Sequence, residues 1–114
     1  MDKKWKNKWI TALKSGEYQQ GRGALRTLED KFCCLGVLCD LYGKEKGVNW
    51  ELRKNKIKYI FLDESGTLPT IVKQETCIKD GKMSIVITLN DGNNGDGEPP
   101  KSFNEIADWI EENL

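Results

Sequence analysis

The most apolar part of the chain reads Phe32-Cys33-Cys34-Leu35-Gly36-Val37-Leu38-Cys39-Asp40-Leu41-Tyr42, and its single charge is Asp40. Neither a helical stripe nor a strand alternation stands out in it, so an element here must be buried on all sides. We predict a helix over about residues 31–42. Gly43 is expected to close it in the left-handed conformation that glycine tolerates best. This helix should be the central element of the core.

Helical spacing and capping signals predict the two ends of the chain. An apolar stripe predicts a first helix over about residues 3–14, and its members are Trp5, Trp9, Ala12 and Leu13. Residues 17–31 are mostly polar and are predicted to form a long loop or a short irregular strand. Near the C-terminus, Ser102 and Glu105 form a capping box. The closing helix then carries the stripe Phe103, Ile106, Ala107, Ile110 and Leu114.

The middle of the chain has the residue preferences of strands. Residues 56–62 alternate and are rich in β-branched and aromatic side chains, which predicts a strand. Asp80-Gly81 is a hairpin signal between residues 74–79 and 82–89, whose core-facing positions would be Met83, Ile85, Ile87 and Leu89. The predicted class is therefore α+β. It comprises two N-terminal helices, a small antiparallel sheet of about three strands and a closing C-terminal helix.

Bulk properties limit the class of protein. A chain of 114 residues is expected to form a single compact domain over residues 1–114. The mean hydropathy is −0.62, and no apolar run approaches the roughly 20 residues that span a bilayer. The charged start Met1-Asp2-Lys3-Lys4-Trp5 is not followed by the apolar region of a signal peptide. We therefore expect a cytoplasmic protein with no membrane partner.

The zero net charge conceals an asymmetry along the chain. Residues 1–60 hold fourteen Lys/Arg against seven Asp/Glu, a balance of +7, and residues 61–114 hold four against eleven, a balance of −7. The simplest interpretation is that the two halves attract each other within one fold. A basic face for an anionic ligand is the alternative. Extended nucleic acid is not an expected partner, because no unopposed basic cluster lies on one element.

Residue types restrict the available chemistry. The chain has no His, which excludes Ser-His-Asp and Cys-His arrangements within it. The four cysteines include no C-x-x-C pair, so structural thiols are preferred over a zinc site or a reactive nucleophile. Asp40 is expected to pair with Arg22 or Arg26 as a structural pin, with a general base as the alternative. Residues 91–98 are rich in oxygen ligands but lack the spacing of a calcium loop, which favours a solvated turn and no metal.

Three blocks of the sequence carry a resemblance. The first is Trp9-Ile10-Thr11-Ala12-Leu13-Lys14-Ser15-Gly16-Glu17-Tyr18-Gln19-Gln20-Gly21-Arg22-Gly23-Ala24-Leu25, and the second is the run over residues 32–42. The third is Leu89-Asn90-Asp91-Gly92 followed by Ser102-Phe103-Asn104-Glu105-Ile106-Ala107-Asp108. Together they resemble a family of small, largely uncharacterised bacteriophage and prophage proteins. The resemblance implies a phage accessory protein, and some small phage proteins counter host immunity by sequestering cyclic or ADP-ribose-derived nucleotides.

The leading hypothesis is a non-enzymatic protein that sequesters a small anionic, nucleotide-like ligand and needs no cofactor. Gly21 and Gly23 would allow close backbone approach, and Arg22 and Arg26 would meet the charge. The remaining candidate site residues are Tyr18, Gln19 and Gln20 for the base or ribose, and Asn90, Asp91 and Ser102 to complete the pocket. A homo-oligomer with the pocket at its interface is compatible with this hypothesis.

Two rival hypotheses belong to other functional classes. The first is an inhibitor that binds a host defence protein through Trp50 or Tyr59. The second is a metal-dependent nucleotide hydrolase that uses Asp91 and Asp96.

Overall fold

The computed structural model describes residues 1–52, 58–92 and 99–114. In chain order, its elements are α1 (Lys3–Lys14), β1 (Gln19–Gln20), β2 (Lys31–Phe32), α2 (Cys34–Lys46), α3 (Thr70–Thr76), α4 (Asp80–Asp91) and α5 (Phe103–Asn113). The predicted α+β class is confirmed, and helices account for most of it. No helix in the described ranges is both long and apolar enough to cross a membrane.

Helix α2 is buried over its first six residues, as its composition predicts. Both of its ends differ from the prediction. It starts at Cys34 because Lys31–Phe32 pairs as a strand and Cys33 caps the helix, its Sγ accepting the Gly36 N–H at 3.4 Å. It ends at Gly47, whose φ of 72° is left-handed, and not at Gly43.

The two glycines inside α2 are needed for close packing. A Cβ on Gly43 would lie 2.5 Å from the Val48 carbonyl oxygen. A Cβ on Gly36 would overlap the main-chain carbonyl group of Leu25, which also accepts the Cys33 N–H at 3.3 Å. The loop before β2 can therefore pass directly against the helix surface.

Helices α1 and α5 form as predicted and pack against each other, and α1 also packs on α2. The α1 stripe is buried, and the indole N–H of Trp9 donates to the Cys34 carbonyl at 2.8 Å. The predicted capping box between Ser102 and Glu105 opens α5, and the apolar side chains of α5 join the same core. Ion pairs join the two oppositely charged halves of the chain, Lys14 to Asp108 at 2.8 Å and Lys46 to Glu75 at 3.1 Å.

The predicted hairpin around Asp80-Gly81 is wrong, because residues 80–91 form helix α4. The buried positions of α4 are Met83, Val86 and Asn90, which follow helical spacing. Ile85, expected in the core, is 44% exposed. Asp80 lies in the first turn of the helix, where its charge complements the helix dipole.

The predicted antiparallel sheet of about three strands is also wrong. The sheet has two strands, β1 and β2, which run parallel with Gln19 opposite Lys31 and Gln20 opposite Phe32. Residues 56 and 57 of the predicted strand 56–62 lie outside the described residues. Its described part makes isolated antiparallel bridges, in which Lys58 pairs with Thr27 and Ile60 with Glu51.

Replacing Gly36 tests the contact between α2 and the preceding loop. Gly36→Ala should lower the free energy of unfolding by about 3 kcal/mol or more, because main-chain atoms would have to move. Chemical denaturation measures this change. Gly81→Ala is the control, since nothing lies within 4 Å of its added Cβ. In helix α4 that change should stabilise by about 0.5–1 kcal/mol. Equal effects of the two variants would contradict the packing described here.

Candidate functional site

Asn90 is a fully buried polar residue at the end of α4. Its Oδ1 accepts the main-chain N–H of Cys34 at 3.1 Å and the side-chain amide of Gln20 at 3.0 Å. Its Nδ2 donates to the Gly21 carbonyl at 3.0 Å and to Asp91 Oδ1 at 2.9 Å. Two acceptor and two donor positions are the full capacity of an amide side chain. Asn90 therefore joins the loop that contains Gly21 and Gly23, which we call the glycine loop, to the start of α2 and the end of α4.

Two further contacts extend this arrangement. Asp91 Oδ1 also accepts the Gly23 N–H at 3.2 Å. The Gln20 amide donates to the Lys101 carbonyl at 2.8 Å, next to Ser102 at the start of α5. We call these residues the Asn90 junction: Gln20, Gly21, Gly23, Cys34, Asn90, Asp91 and Lys101. Of the predicted site residues, the structure thus brings Gln20, Gly21 and Gly23 together with Asn90 and Asp91. Ser102 only follows Lys101, and its hydroxyl caps α5, whereas Tyr18 is bound to Asp40 outside the junction.

Three basic residues border the Asn90 junction. Arg22 lies between the two loop glycines and is exposed. Lys31 is exposed opposite Gln19 and packs so closely on Gly21 that an added Cβ there would lie 2.8 Å from the Lys31 Cβ. Lys101 supplies the carbonyl that Gln20 binds. Over residues 1–52, 58–92 and 99–114 none of the three forms an ion pair. Lys31 and Lys101 are not predicted from the sequence. Only the strand register reveals Lys31, and only the contact with Gln20 reveals Lys101.

The cavity at the Asn90 junction is small. It has a volume of about 40 Å³, and its lining includes Gly23, Cys33, Asn90 and Asp91. One water molecule occupies about 30 Å³ in the liquid. A nucleotide therefore cannot be enclosed here, and a ligand of that size would lie on the surface of the junction.

The buried thiols near the junction are poor nucleophiles. Burial raises the pKa of Cys33 to about 11, although the hydrogen bond that its sulfur accepts from the Gly36 N–H acts to lower this pKa. Burial also raises the pKa of Cys34 and of Cys39 well above the ordinary value. All three thiols are therefore protonated at neutral pH, and they pack as small apolar groups. Cys77 is exposed, outside this cluster.

Asp40 is held by three donors. Its Oδ2 accepts the Tyr18 hydroxyl at 2.5 Å and lies 3.3 Å from Lys44 Nζ, and its Oδ1 accepts the Trp50 indole N–H at 3.0 Å. Burial opposes ionisation, but these hydrogen bonds and the Lys44 charge outweigh it, so the pKa of Asp40 is lowered. Burial and the bond to Asp40 raise the pKa of Tyr18 to about 12. Asp40 therefore fixes Tyr18 of the polar loop in place, which agrees with the structural role expected of it.

The expected partners of Asp40, Arg22 or Arg26, are wrong. The Arg26 guanidinium donates instead to Asp30 Oδ1, from Nε at 3.1 Å and from Nη2 at 2.8 Å. The Cζ atom of this guanidinium lies 4.2 Å from the ring centre of Tyr59, 5.3 Å from that of Phe32 and 5.6 Å from that of Trp50. We call Arg26, Phe32, Trp50 and Tyr59 the aromatic cluster. The contacts of Arg26 thus lie in this cluster and not in the Asn90 junction.

A larger concavity lies between α1 and α2. This groove has a volume of about 690 Å³, and its walls include Lys8, Glu17, Lys44 and Glu45. The sequence analysis did not find it, because it exists only once the two helices pack. Its charges balance, and Lys8 Nζ is already 2.7 Å from Glu45 Oε1. The groove therefore has no net attraction for an anion.

A protein-family model covers residues 1–114 of the chain. The family model described as a domain of unknown function, DUF8296, matches residues 1–114. The chain belongs to this family. No curated protein and no solved structure shows a significant match to it.

The hypothesis of a metal-dependent nucleotide hydrolase requires Asp91 and Asp96 to act with a metal ion. Asp96 lies outside the described residues, and Asp91 is bound to the junction through Oδ1. Within the described ranges, no group of three or more Cys, Asp or Glu residues is placed to hold a metal ion.

Removing the Asp40 charge tests the Tyr18–Asp40–Trp50 contacts. Because the folded-state pKa of Asp40 is lowered from 3.8, its carboxylate stabilises the fold above about pH 4. Asp40→Asn should lower the free energy of unfolding at about pH 7 by about 1–3 kcal/mol. The difference from the wild type should shrink as the pH falls through the folded-state pKa. Asp108→Asn, which removes an exposed pair, should cost less than about 1 kcal/mol. A constant difference across this pH range would refute the assignment.

Truncating Asn90 tests the junction itself. Asn90→Ala should lower the free energy of unfolding by about 2–3 kcal/mol, because it leaves buried main-chain groups without partners. Asn104→Ala on the exposed face of α5 is the matched control and should have little effect. Urea denaturation compares the two. If both variants were as stable as the wild type, Asn90 would not hold the three segments together.

Proposed function

We propose that this chain is a phage accessory protein that binds and sequesters a small anionic ligand, a nucleotide-derived immune signal, without turnover in the host cytoplasm. One observation carries the proposal. The Asn90 junction is bordered by Arg22, which lies between Gly21 and Gly23, by Lys31, which packs on Gly21, and by Lys101, whose carbonyl binds Gln20. None of these three basic residues has a carboxylate partner among the described residues. The phage origin and the immune role come from the sequence resemblance.

The junction favours binding because its backbone is already ordered. Gln20, Gly21 and Gly23 are each hydrogen-bonded to residues distant in sequence. A ligand that meets an ordered site loses less affinity to the ordering of loops and side chains. An exposed arginine in such a loop can offer two parallel N–H groups to a phosphate. The two lysines would add point charges from neighbouring segments.

The titratable groups near the junction favour binding over catalysis. The chain contains no His, and the pKa values of the three buried thiols are raised by burial. The Asp40 carboxylate is occupied by Tyr18, Trp50 and Lys44. Nearby groups that could move a proton or attack a bond at neutral pH are thus already engaged or un-ionised.

Titration calorimetry with cyclic dinucleotides and ADP-ribose derivatives tests this proposal. We expect stoichiometric binding of one of these compounds, with the intact compound recovered afterwards by chromatography. Arg22→Ala and Lys101→Ala should each weaken binding by about 1–3 kcal/mol, because each removes a charge-assisted contact. In dissociation constants this is roughly 5- to 150-fold.

Lys79→Ala is the matched control for these two variants. Lys79 precedes the first residue of α4, whereas the junction lies at the other end of that 12-residue helix, about 18 Å away. Its loss should leave the affinity unchanged. Unchanged affinity in both Arg22→Ala and Lys101→Ala would move the site elsewhere. Absence of binding to every compound would refute the proposal, and product formation that EDTA abolishes would favour the hydrolase.

A further inference from the structure

Asp91 is bound to the Asn90 junction through one of its two carboxylate oxygens. Its Oδ1 accepts the Gly23 N–H at 3.2 Å and the Asn90 side-chain amide at 2.9 Å. Over residues 1–52, 58–92 and 99–114, Oδ2 receives no hydrogen bond, and the carboxylate forms no ion pair. The two bonds to Oδ1 hold the carboxylate in place, and Oδ2 remains available as an acceptor.

A carboxylate at this position is unfavourable for a bare anion. The N–H that binds Asp91 belongs to the peptide group between Arg22 and Gly23. An anion held around this loop is therefore repelled by the Asp91 charge, which bound N–H groups do not cancel. An asparagine at the same position could accept both bonds at Oδ1 without this repulsion. The negative charge thus weakens the anion site unless the ligand itself also binds it.

The group that suits Asp91 Oδ2 is a hydroxyl carried by the same ligand. A hydroxyl is a neutral donor, and its bond to a carboxylate is among the stronger hydrogen bonds in proteins. Asp91 lines a cavity of about 40 Å³ together with Gly23 and Asn90. One water molecule occupies roughly 30 Å³ in the liquid, so this volume admits a hydroxyl group but not a sugar ring.

Ribose phosphates carry both groups. A ribose places its hydroxyls a few bonds from its phosphate, so one molecule can contact the basic residues and the carboxylate at once. In dinucleotide-binding proteins, an acidic side chain near a glycine-rich phosphate loop binds the ribose 2′-hydroxyl. The 2′-hydroxyl is also free in both 3′,5′-linked cyclic dinucleotides and ADP-ribose.

We propose that Asp91 determines the specificity of this site by accepting, at Oδ2, a hydrogen bond from the ribose 2′-hydroxyl of the ligand. The phosphate of the same ligand contacts Arg22, Lys31 and Lys101. The site is then selective for ribonucleotides over 2′-deoxynucleotides and inorganic phosphates. This inference rests on the proposed function, because it requires the anion site at the Asn90 junction.

Titration calorimetry with matched pairs of compounds tests this specificity. The pairs are 3′,3′-cyclic di-AMP and ADP-ribose, each compared with the counterpart that lacks 2′-hydroxyls. The wild type should bind the hydroxyl-bearing member of a pair at least about tenfold more tightly, because the other member leaves a charged acceptor without its hydrogen bond. Both members carry the same phosphates, so repulsion by Asp91 affects them alike.

Asp91→Asn should lower this preference to about threefold or less. A neutral amide then replaces the charged acceptor, and charge-assisted hydrogen bonds are roughly twice as strong as neutral ones. Asp80→Asn is the matched control, because Asp80 and Asp91 are the first and last residues of α4, about 16 Å apart along its axis. It should keep the preference of the wild type, and circular dichroism checks that both variants fold.

The outcomes separate this inference from the proposed function. If the wild type binds a compound as tightly as its 2′-deoxy counterpart, the inference is overturned and the proposed function stands, a result that needs no variant. Full retention of the preference in Asp91→Asn, or an equal loss of it in Asp80→Asn, also overturns the inference alone. If the wild type binds none of the compounds, both are overturned.

Discussion

The fold depends on one buried amide. Asn90 is fully buried, and a polar group in that position is tolerated only when its hydrogen bonds are made. Its four bonds connect α4, the first residue of α2 and the glycine loop, two of them through main-chain atoms. Because main-chain atoms are fixed directly, the loop cannot move without breaking bonds that water would not replace. The loop between residues 17 and 31 is therefore part of the framework.

The amide acts together with the close packing of α2. At Gly36 the missing side chain lets the Leu25 carbonyl group lie on the helix, and at Cys33 the sulfur caps the helix start. These contacts place the N-terminus of α2 beside Asn90. The three cysteines in this region are buried and pack as small apolar groups. The unusual composition of residues 32–42 thus has a packing explanation.

Local signals predicted some elements well and failed on others for identifiable reasons. Helices α1 and α5 carry apolar stripes, and α5 has a capping box, so the sequence specifies them locally. The residues of helix α4 predict a hairpin, because Ile85, Val86 and Ile87 have strand preferences and Asp80-Gly81 is a turn signal. Its helical stripe ends at Asn90, a polar residue, so hydrophobicity alone does not reveal it. Tertiary packing outweighed strand propensity there.

The site was predictable in its segments but not in its contacts. Residue types alone single out the loop of residues 18–23, Asn90–Asp91 and Ser102, and the structure joins Gln20, Gly21 and Gly23 of that loop to Asn90 and Asp91. The hydrogen bonds of Asn90, however, go to the protein itself. Lys31 lies near the glycine loop because β1 and β2 pair in a parallel register. The sequence does not predict this register, because each strand has only two residues.

Ion pairs match some of the basic residues on the surface and leave others without a carboxylate partner among the described residues. Lys14 and Lys46 of the basic half are matched by Asp108 and Glu75 of the acidic half. A surface ion pair contributes only about 0–1 kcal/mol, so leaving a few cations unmatched costs little stability. Around Asn90 the three basic residues are opposed by Asp91, whose Oδ1 is already bound to Gly23 and Asn90. Hydrogen bonds from neutral N–H groups do not cancel a carboxylate charge, so the anion binding proposed above requires the three cations together to outweigh Asp91.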